Sequence, residues 1–136
     1  MGRIEDAILH YEQAKLAEKQ KDYLFARVEY MKCIESYKQA GDIDQLDIVT
    51  KEYEDFVKRD PVFNKLKEII IPFIRDNPGI IQSEITSKFE QSNWQQLYNY
   101  DRPIMKDDIY YVLYFADKFG DIIRVKKGHS YELNAK

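Results

Sequence analysis

Apolar residues recur at steps of three and four from Ile4 to Val57, broken only at Gln20-Lys21-Asp22 and at Ala40-Gly41-Asp42. That period belongs to a helix and is incompatible with strands, whose faces alternate every second residue. The first stripe is Ile4, Ala7, Ile8, Tyr11, Ala14 and Ala17, on a helix running to about Gln20. The second is Tyr23, Ala26, Tyr30, Cys33, Ile34 and Tyr37. Leu24, Val28 and Met31 make another stripe on the same helix, which predicts packing on two sides. The third is Ile43, Leu46, Val49, Tyr53, Phe56 and Val57. Asp22 and Asp42 stand where a side-chain oxygen can accept from orphan backbone N–H groups, and Gly41 where a helix ends. Asp42 with Gln45 has the spacing of a capping box. Asp60-Pro61 closes the third helix, since a residue before proline is disfavoured in helical geometry. Residues 1–60 are therefore expected to form a three-helix antiparallel bundle.

Ala14, Asp22-Tyr23, Ala26, Tyr30, Cys33 and Ile34 resemble a single tetratricopeptide-type hairpin over residues 7–40. Small residues at 14, 26 and 33 let two helices approach, with Tyr23 and Tyr30 in the wedge. His10, Lys21 and Lys38 depart from that family's Trp, turn Gly and closing Pro. The three-helix microtubule-interacting-and-trafficking type shares the Ala and Tyr pattern, and both resemblances stay open. Shifting by 34 residues finds no second repeat, because the matching positions are Asp44, Ile48 and Lys51. A plain bundle without a peptide groove is the competing reading.

After Pro61, Phe63, Leu66, Ile69, Ile70, Phe73 and Ile74 follow at helical spacing, with Pro72 expected to kink or distort the helix. Asn77-Pro78-Gly79 is a turn signal. Ile80-Ile81 reads as a very short strand and residues 82–89 as a second helix, with Ile81, Ile85 and Phe89 inward. A polar, aromatic stretch over residues 90–105 precedes a third helix on Ile109, Val112, Leu113, Ala116 and Phe119, ended by Gly120. Residues 122–126, Lys127-Gly128 and residues 129–133 read as strand, turn, strand, apolar at Ile123 and Val125 and again at Tyr131 and Leu133.

Asn77-Pro78-Gly79-Ile80, Ser83-Glu84-Ile85, the run from Leu113 to Gly120, Ile123-Arg124 and Lys127-Gly128-His129-Ser130-Tyr131 resemble a winged helix-turn-helix domain of bacterial transcriptional regulators. The resemblance covers residues 61–136. It implies a mostly α fold with a small β-hairpin wing, and duplex DNA as ligand. One departure is the long connection between second and third helices, with Trp94, Leu97, Tyr98, Tyr100 and Pro103. Segments this long are commonly functional. Trp94, Tyr98 and Tyr100 form one candidate partner surface in this insertion at 91–104, or they tuck into the core.

The third helix should expose Lys106, Asp107, Asp108, Tyr110, Tyr111, Tyr114, Asp117 and Lys118. That face has no Arg, Asn or Gln, the usual readers of base edges. Lys106, Tyr110, Tyr111, Tyr114 and Lys118 are its candidate contacts. The wing gathers Arg124, Lys126, Lys127 and His129 within six residues. These are candidate phosphate contacts, or solvated charges guarding a hairpin edge.

Charge limits the partner. Residues 1–60 carry 10 Lys and Arg against 14 Asp and Glu, a net of −4, and the remaining 11 and 10 give +1. Neither half has the strong positive field of a tight nucleic-acid binder. Five glycines, at 2, 41, 79, 120 and 128, leave no phosphate-binding loop. His10 and His129 are isolated, and the spacing of Asp42, Asp44 and Asp47 breaks the calcium-loop pattern at Leu46, so no metal or other cofactor is expected. Cys33 lies on a core stripe and reads as a buried filler.

No run approaches the roughly 20 apolar residues of a membrane span, and Met1-Gly2-Arg3-Ile4-Glu5-Asp6 holds no signal core. The expectation is a cytoplasmic binding protein, not an enzyme, with no membrane and no small-molecule substrate. Two functions remain. One is a winged-helix transcriptional regulator touching duplex DNA weakly through its wing, its bundle serving a protein partner or a homodimer. The other is a protein–protein adapter using the tyrosine-rich third helix and the aromatic insertion, with no DNA binding.

Overall fold

The computed structural model describes residues 2–90 and 102–136, and the chain divides into two compact units, Met1–Asp60 and Pro61–Lys136. The described residues are mostly helical, with one small three-stranded antiparallel sheet.

The first unit holds α1 (Arg3–Lys19), α2 (Tyr23–Ala40) and α3 (Ile43–Arg59). Arg3 bonds Gln39 and His10 bonds Glu29, so α1 and α2 run in opposite directions. Buried Ala7, Ala14 and Ala17 on α1 leave room for the larger Tyr30 and Tyr37 of α2. Ala7, Cys33, Tyr37 and Val49 form one core cluster across all three helices. The rings of Tyr30, Tyr53 and Phe56 form another, with centroids 5.0–6.3 Å apart. Arg59 grips Glu18 with two hydrogen bonds of 2.9 and 3.0 Å, tying α3 to α1.

The ends of these helices follow local chemistry. Asp22 accepts from the Phe25 N–H, and Asp42 from the Gln45 N–H, each at 3.2 Å. Gly41 takes φ +71 at the end of α2. Lys21, after α1, takes φ +64, a left-handed backbone that favours glycine. The N–H of Asp22 then reaches the Ala17 carbonyl at 2.8 Å and that of Lys21 the Glu18 carbonyl at 3.0 Å, which satisfies two orphan acceptors.

The apolar stripes are less buried than their period suggests. Ile4 and Ile8 are 46 % exposed, and on the outer stripe of α2 Val28 and Met31 are 40 % and 55 % exposed while Leu24 is half-buried. The small residues, with Tyr30 and Cys33, carry the α1–α2 contact instead.

The second unit holds α4 (Pro61–Asp76), β1 (Ile80–Ile81), α5 (Gln82–Phe89), α6 (Lys106–Lys118), β2 (Ile122–Lys127) and β3 (Ser130–Ala135). Pro61 sits at the first helical position, where its missing N–H costs nothing. Helix α4 continues through Pro72 to Asp76, and that proline is exposed. Phe63, Leu66, Ile70 and Ile74 are buried, whereas Ile69 is 40 % exposed. They meet Ile85 of α5, Ile109, Val112, Leu113 and Ala116 of α6, and Ile122 and Leu133 of the sheet in one core. The sheet order is β1-β3-β2, with Ile80 opposite Leu133 and Leu133 opposite Arg124. The Gly79 N–H, bonded to the Leu133 carbonyl at 3.1 Å and to Asn134 Oδ1 at 2.9 Å, anchors the Asn77-Pro78-Gly79 turn to β3.

The phase of β1 and β2 is opposite to the expectation, whereas β3 keeps the expected one, with Leu133 inward. Ile122 and Leu133 are buried, while Ile123 and Val125 are 45 % and 46 % exposed. Ile81 is 39 % exposed and Ile80 takes the inner place. Paired residues share a face, so Ile81, Val125 and Ile123 line the outer side of the sheet with Glu132 and Asn134.

Candidate nucleic-acid interface

The β2–β3 hairpin closes through Gly128 and His129, with Lys127 paired to Ser130. Gly128 has φ +63, while His129 is not among the residues with positive φ. Glycine at the first central position of a two-residue turn is the type II′ arrangement, whose twist matches that of the strands. It fixes the register, and the register fixes the charges. Arg124 and Lys126 fall on the inner face with Tyr131 and Leu133, whereas Lys127 falls on the outer face. Lys126, Lys127 and His129 are all exposed.

Arg124 is held. Its guanidinium carbon lies 3.8 Å from the centre of the Tyr131 ring, and its Nε donates to Gln82 Oε1 at 3.0 Å. Stacking on an aromatic face suits the flat, weakly hydrated guanidinium. Gln82 opens α5, so this bond fastens the hairpin to the helix beside it. Sequence reasoning missed both partners. Tyr131 and Arg124 become diagonal neighbours only in this register, and the apolar pattern carries no signal for Gln82.

Helix α6 presents Lys106, Asp107, Tyr110, Tyr114 and Lys118 outward, with Tyr110 39 % and Tyr114 50 % exposed. Two residues expected on this face are turned inward. Tyr111 is 8 % exposed, with its ring edge-on to Phe63 at 5.9 Å and to Phe115 at 5.5 Å. Asp108 is fully buried. Its carboxylate accepts the Met105 N–H at 2.8 Å and an Arg102 Nη2 bond at 2.9 Å. An acid three residues into a helix can satisfy the orphan N–H of the residue before it, as in a capping box. The remaining exposed face is mixed, with two lysines, one aspartate and two tyrosines.

Trp94, Tyr98 and Tyr100, the aromatic partner surface expected from the sequence, lie outside the described residues. His10 and His129 belong to different units. His10 pairs with Glu29 through a 2.5 Å contact at Nδ1. Cys33 is buried, and desolvation raises its thiol from 9.0 to about 11. Among the described residues no group of three His, Cys, Asp or Glu could hold a metal ion, and no helix is long and apolar enough to cross a membrane. No protein-family model, curated protein or solved structure matches the chain.

Proposed function

We propose that this chain is a non-enzymatic regulatory protein whose second unit is a winged-helix module contacting duplex DNA, and whose first unit is a helical interaction module. The observation that carries the reading is the hairpin tip, where Lys126, Lys127 and His129 stand exposed around a two-residue turn, braced at its base by Arg124. Its context agrees: a helix, a two-residue strand, a helix, α6 and then the hairpin, with sheet order β1-β3-β2. A winged helix-turn-helix has that order. Phosphate is the complementary partner for such a tip, since positively charged side chains that release counterions supply most non-specific DNA affinity.

Fluorescence anisotropy with a mixed-sequence duplex tests this, on the wild type and on Lys126→Glu/Lys127→Glu. Binding at low salt that weakens with added salt and is lost in the double variant is the expected result. Absence of binding at low salt refutes it.

A second reading has its own observation. Tyr110 and Tyr114 are exposed on α6, and Ile81, Ile123 and Val125 on the outer sheet face. Tyrosine is enriched at protein interfaces, so an adapter without DNA binding is the alternative that the negative result would favour.

A further inference from the structure

We infer that the hairpin holds a duplex through phosphates of both strands bordering one groove, Lys126 meeting one strand and Lys127 the other, and that α6 reads no bases. The inference rests on the DNA-contacting reading above and specifies how that site works.

Neighbouring residues in a strand point to opposite faces. Register places Lys126 on the face of Tyr131 and Lys127 on the face of Ser130, one residue from the turn. The two ammonium groups therefore leave the ribbon in opposite directions. Paired strands lie about 4.7–4.9 Å apart, and the major groove, about 12 Å wide, admits a two-stranded ribbon. A narrow tip carrying one flexible cation on each side matches a groove walled by two phosphate rows. Among the described residues no ion pair uses Lys126 or Lys127, so neither has to leave an internal partner first.

Arg124 has a different job. Its Nε is bonded to Gln82 and one face is stacked on Tyr131. The residue best suited to read guanine with a two-pronged bond is thus engaged in bracing the hairpin.

Helix α6 lacks the chemistry of base reading. Recognition helices contact bases with residues near their N-termini. Here that turn exposes Lys106, Asp107 and Tyr110, with no Arg, Asn or Gln. The Asp107 carboxylate repels phosphate. The helix start is occupied as well, since the Asp108 carboxylate takes the Met105 N–H and bonds Arg102. Its dipole is already answered by an internal anion, and an incoming phosphate gains little there.

The test has two arms on the full chain. The first measures the salt dependence of anisotropy for the wild type, Lys126→Glu, Lys127→Glu and Tyr110→Ala/Tyr114→Ala. The second recovers bound duplexes from a randomised pool and sequences them. Two to three phosphate contacts give a slope of log affinity on log salt of about −2 to −3. Each single lysine reversal should reduce that slope by about one. The tyrosine variant should bind within twofold of wild type, and the recovered pool should stay random. These lysines are exposed at a turn, so an unchanged thermal midpoint shows that the variants fold. A pool converging on one motif, with affinity for it lost more than tenfold on tyrosine substitution, overturns the inference and leaves the DNA reading standing. Equal slopes for wild type and both lysine variants overturn it too. No binding of any duplex at low salt removes the DNA reading itself.

Discussion

Lys21 is the one residue other than glycine among the described residues with positive φ, and replacing it with glycine should stabilise the first unit. At φ +64 a side chain crowds its own backbone, at a cost of about 1–2 kcal/mol for an L-residue. Glycine removes that cost but adds freedom to the unfolded chain, worth about 0.4–1 kcal/mol in the other direction. The net expectation for Lys21→Gly is a gain of about 0.5–1 kcal/mol. The side chain is exposed and enters no ion pair among the described residues, so little is lost with it. Urea unfolding followed by far-ultraviolet dichroism reads the change. With a slope of about 1–3 kcal/mol per molar urea, the midpoint should rise by about 0.2–1 M at unchanged slope. Lys21→Ala keeps the strain and should leave the midpoint where it is. Gly41→Ala introduces the same strain at φ +71 and should lower it. A Lys21→Gly midpoint at or below wild type, or an alanine variant gaining as much as glycine, would refute the reasoning.

Three further outcomes follow from burial. Tyr111→Ala should cost about 3–4 kcal/mol in unfolding measurements, as for other buried aromatic truncations, while Tyr114→Ala, half-exposed on the same helix, should cost under about 1 kcal/mol. Asp108→Ala strands the Met105 N–H and should cost about 1–3 kcal/mol, measured by chemical denaturation. Cys33 should resist a thiol reagent at pH 8 in the folded protein and react on unfolding. Because burial raises this thiol to about 11, the folded state keeps the proton that the unfolded state gives up. Its contribution to stability is therefore full below about pH 9 and is lost as pH rises through about 11, which an alkaline unfolding series would show.

The helices were legible because several signals agree at each end. Asp22, Gly41 with Asp42, and Pro61 each have a local reason to stand at a boundary, and none depends on distant residues. Burial was legible only where a stripe had one neighbour to meet. Ile4, Ile8, Val28 and Met31 obey the helical period, yet the contact between α1 and α2 is made by alanines, Tyr30 and Cys33, and the larger side chains stay outside. The wing shows a sharper limit. In Ile122-Ile123-Arg124-Val125 both phases begin with isoleucine, so alternation alone does not choose between them. The choice comes from pairing with Leu133 and from the Asp121 N–H bond to the Ala116 carbonyl at 2.8 Å, which ties the residue just before the strand to the last turns of α6. Tyr110 and Tyr111 pose the same difficulty on a helix. They are chemically alike and only about 100° apart on a helix of 3.6 residues per turn. Phe63 and Phe115 decide which one turns inward.

The inverted phase of β2 has a consequence for the behaviour of the protein in solution. A six-residue strand at one edge of the described sheet, with Ile123 and Val125 on its open side, is the kind of segment that recruits further copies of itself into growing sheets. What opposes this is the row of cations at Arg124, Lys126 and Lys127, which sets neighbouring molecules repelling each other before their edges can meet. Colloidal solubility and nucleic-acid contact would then draw on the same lysines. Neutralising them with alanine would remove both at once, whereas reversing them to glutamate keeps molecules apart while abolishing affinity for phosphate. A precipitate from an alanine variant would thus report the unguarded strand, and only the charge-reversed protein separates loss of binding from loss of dispersal.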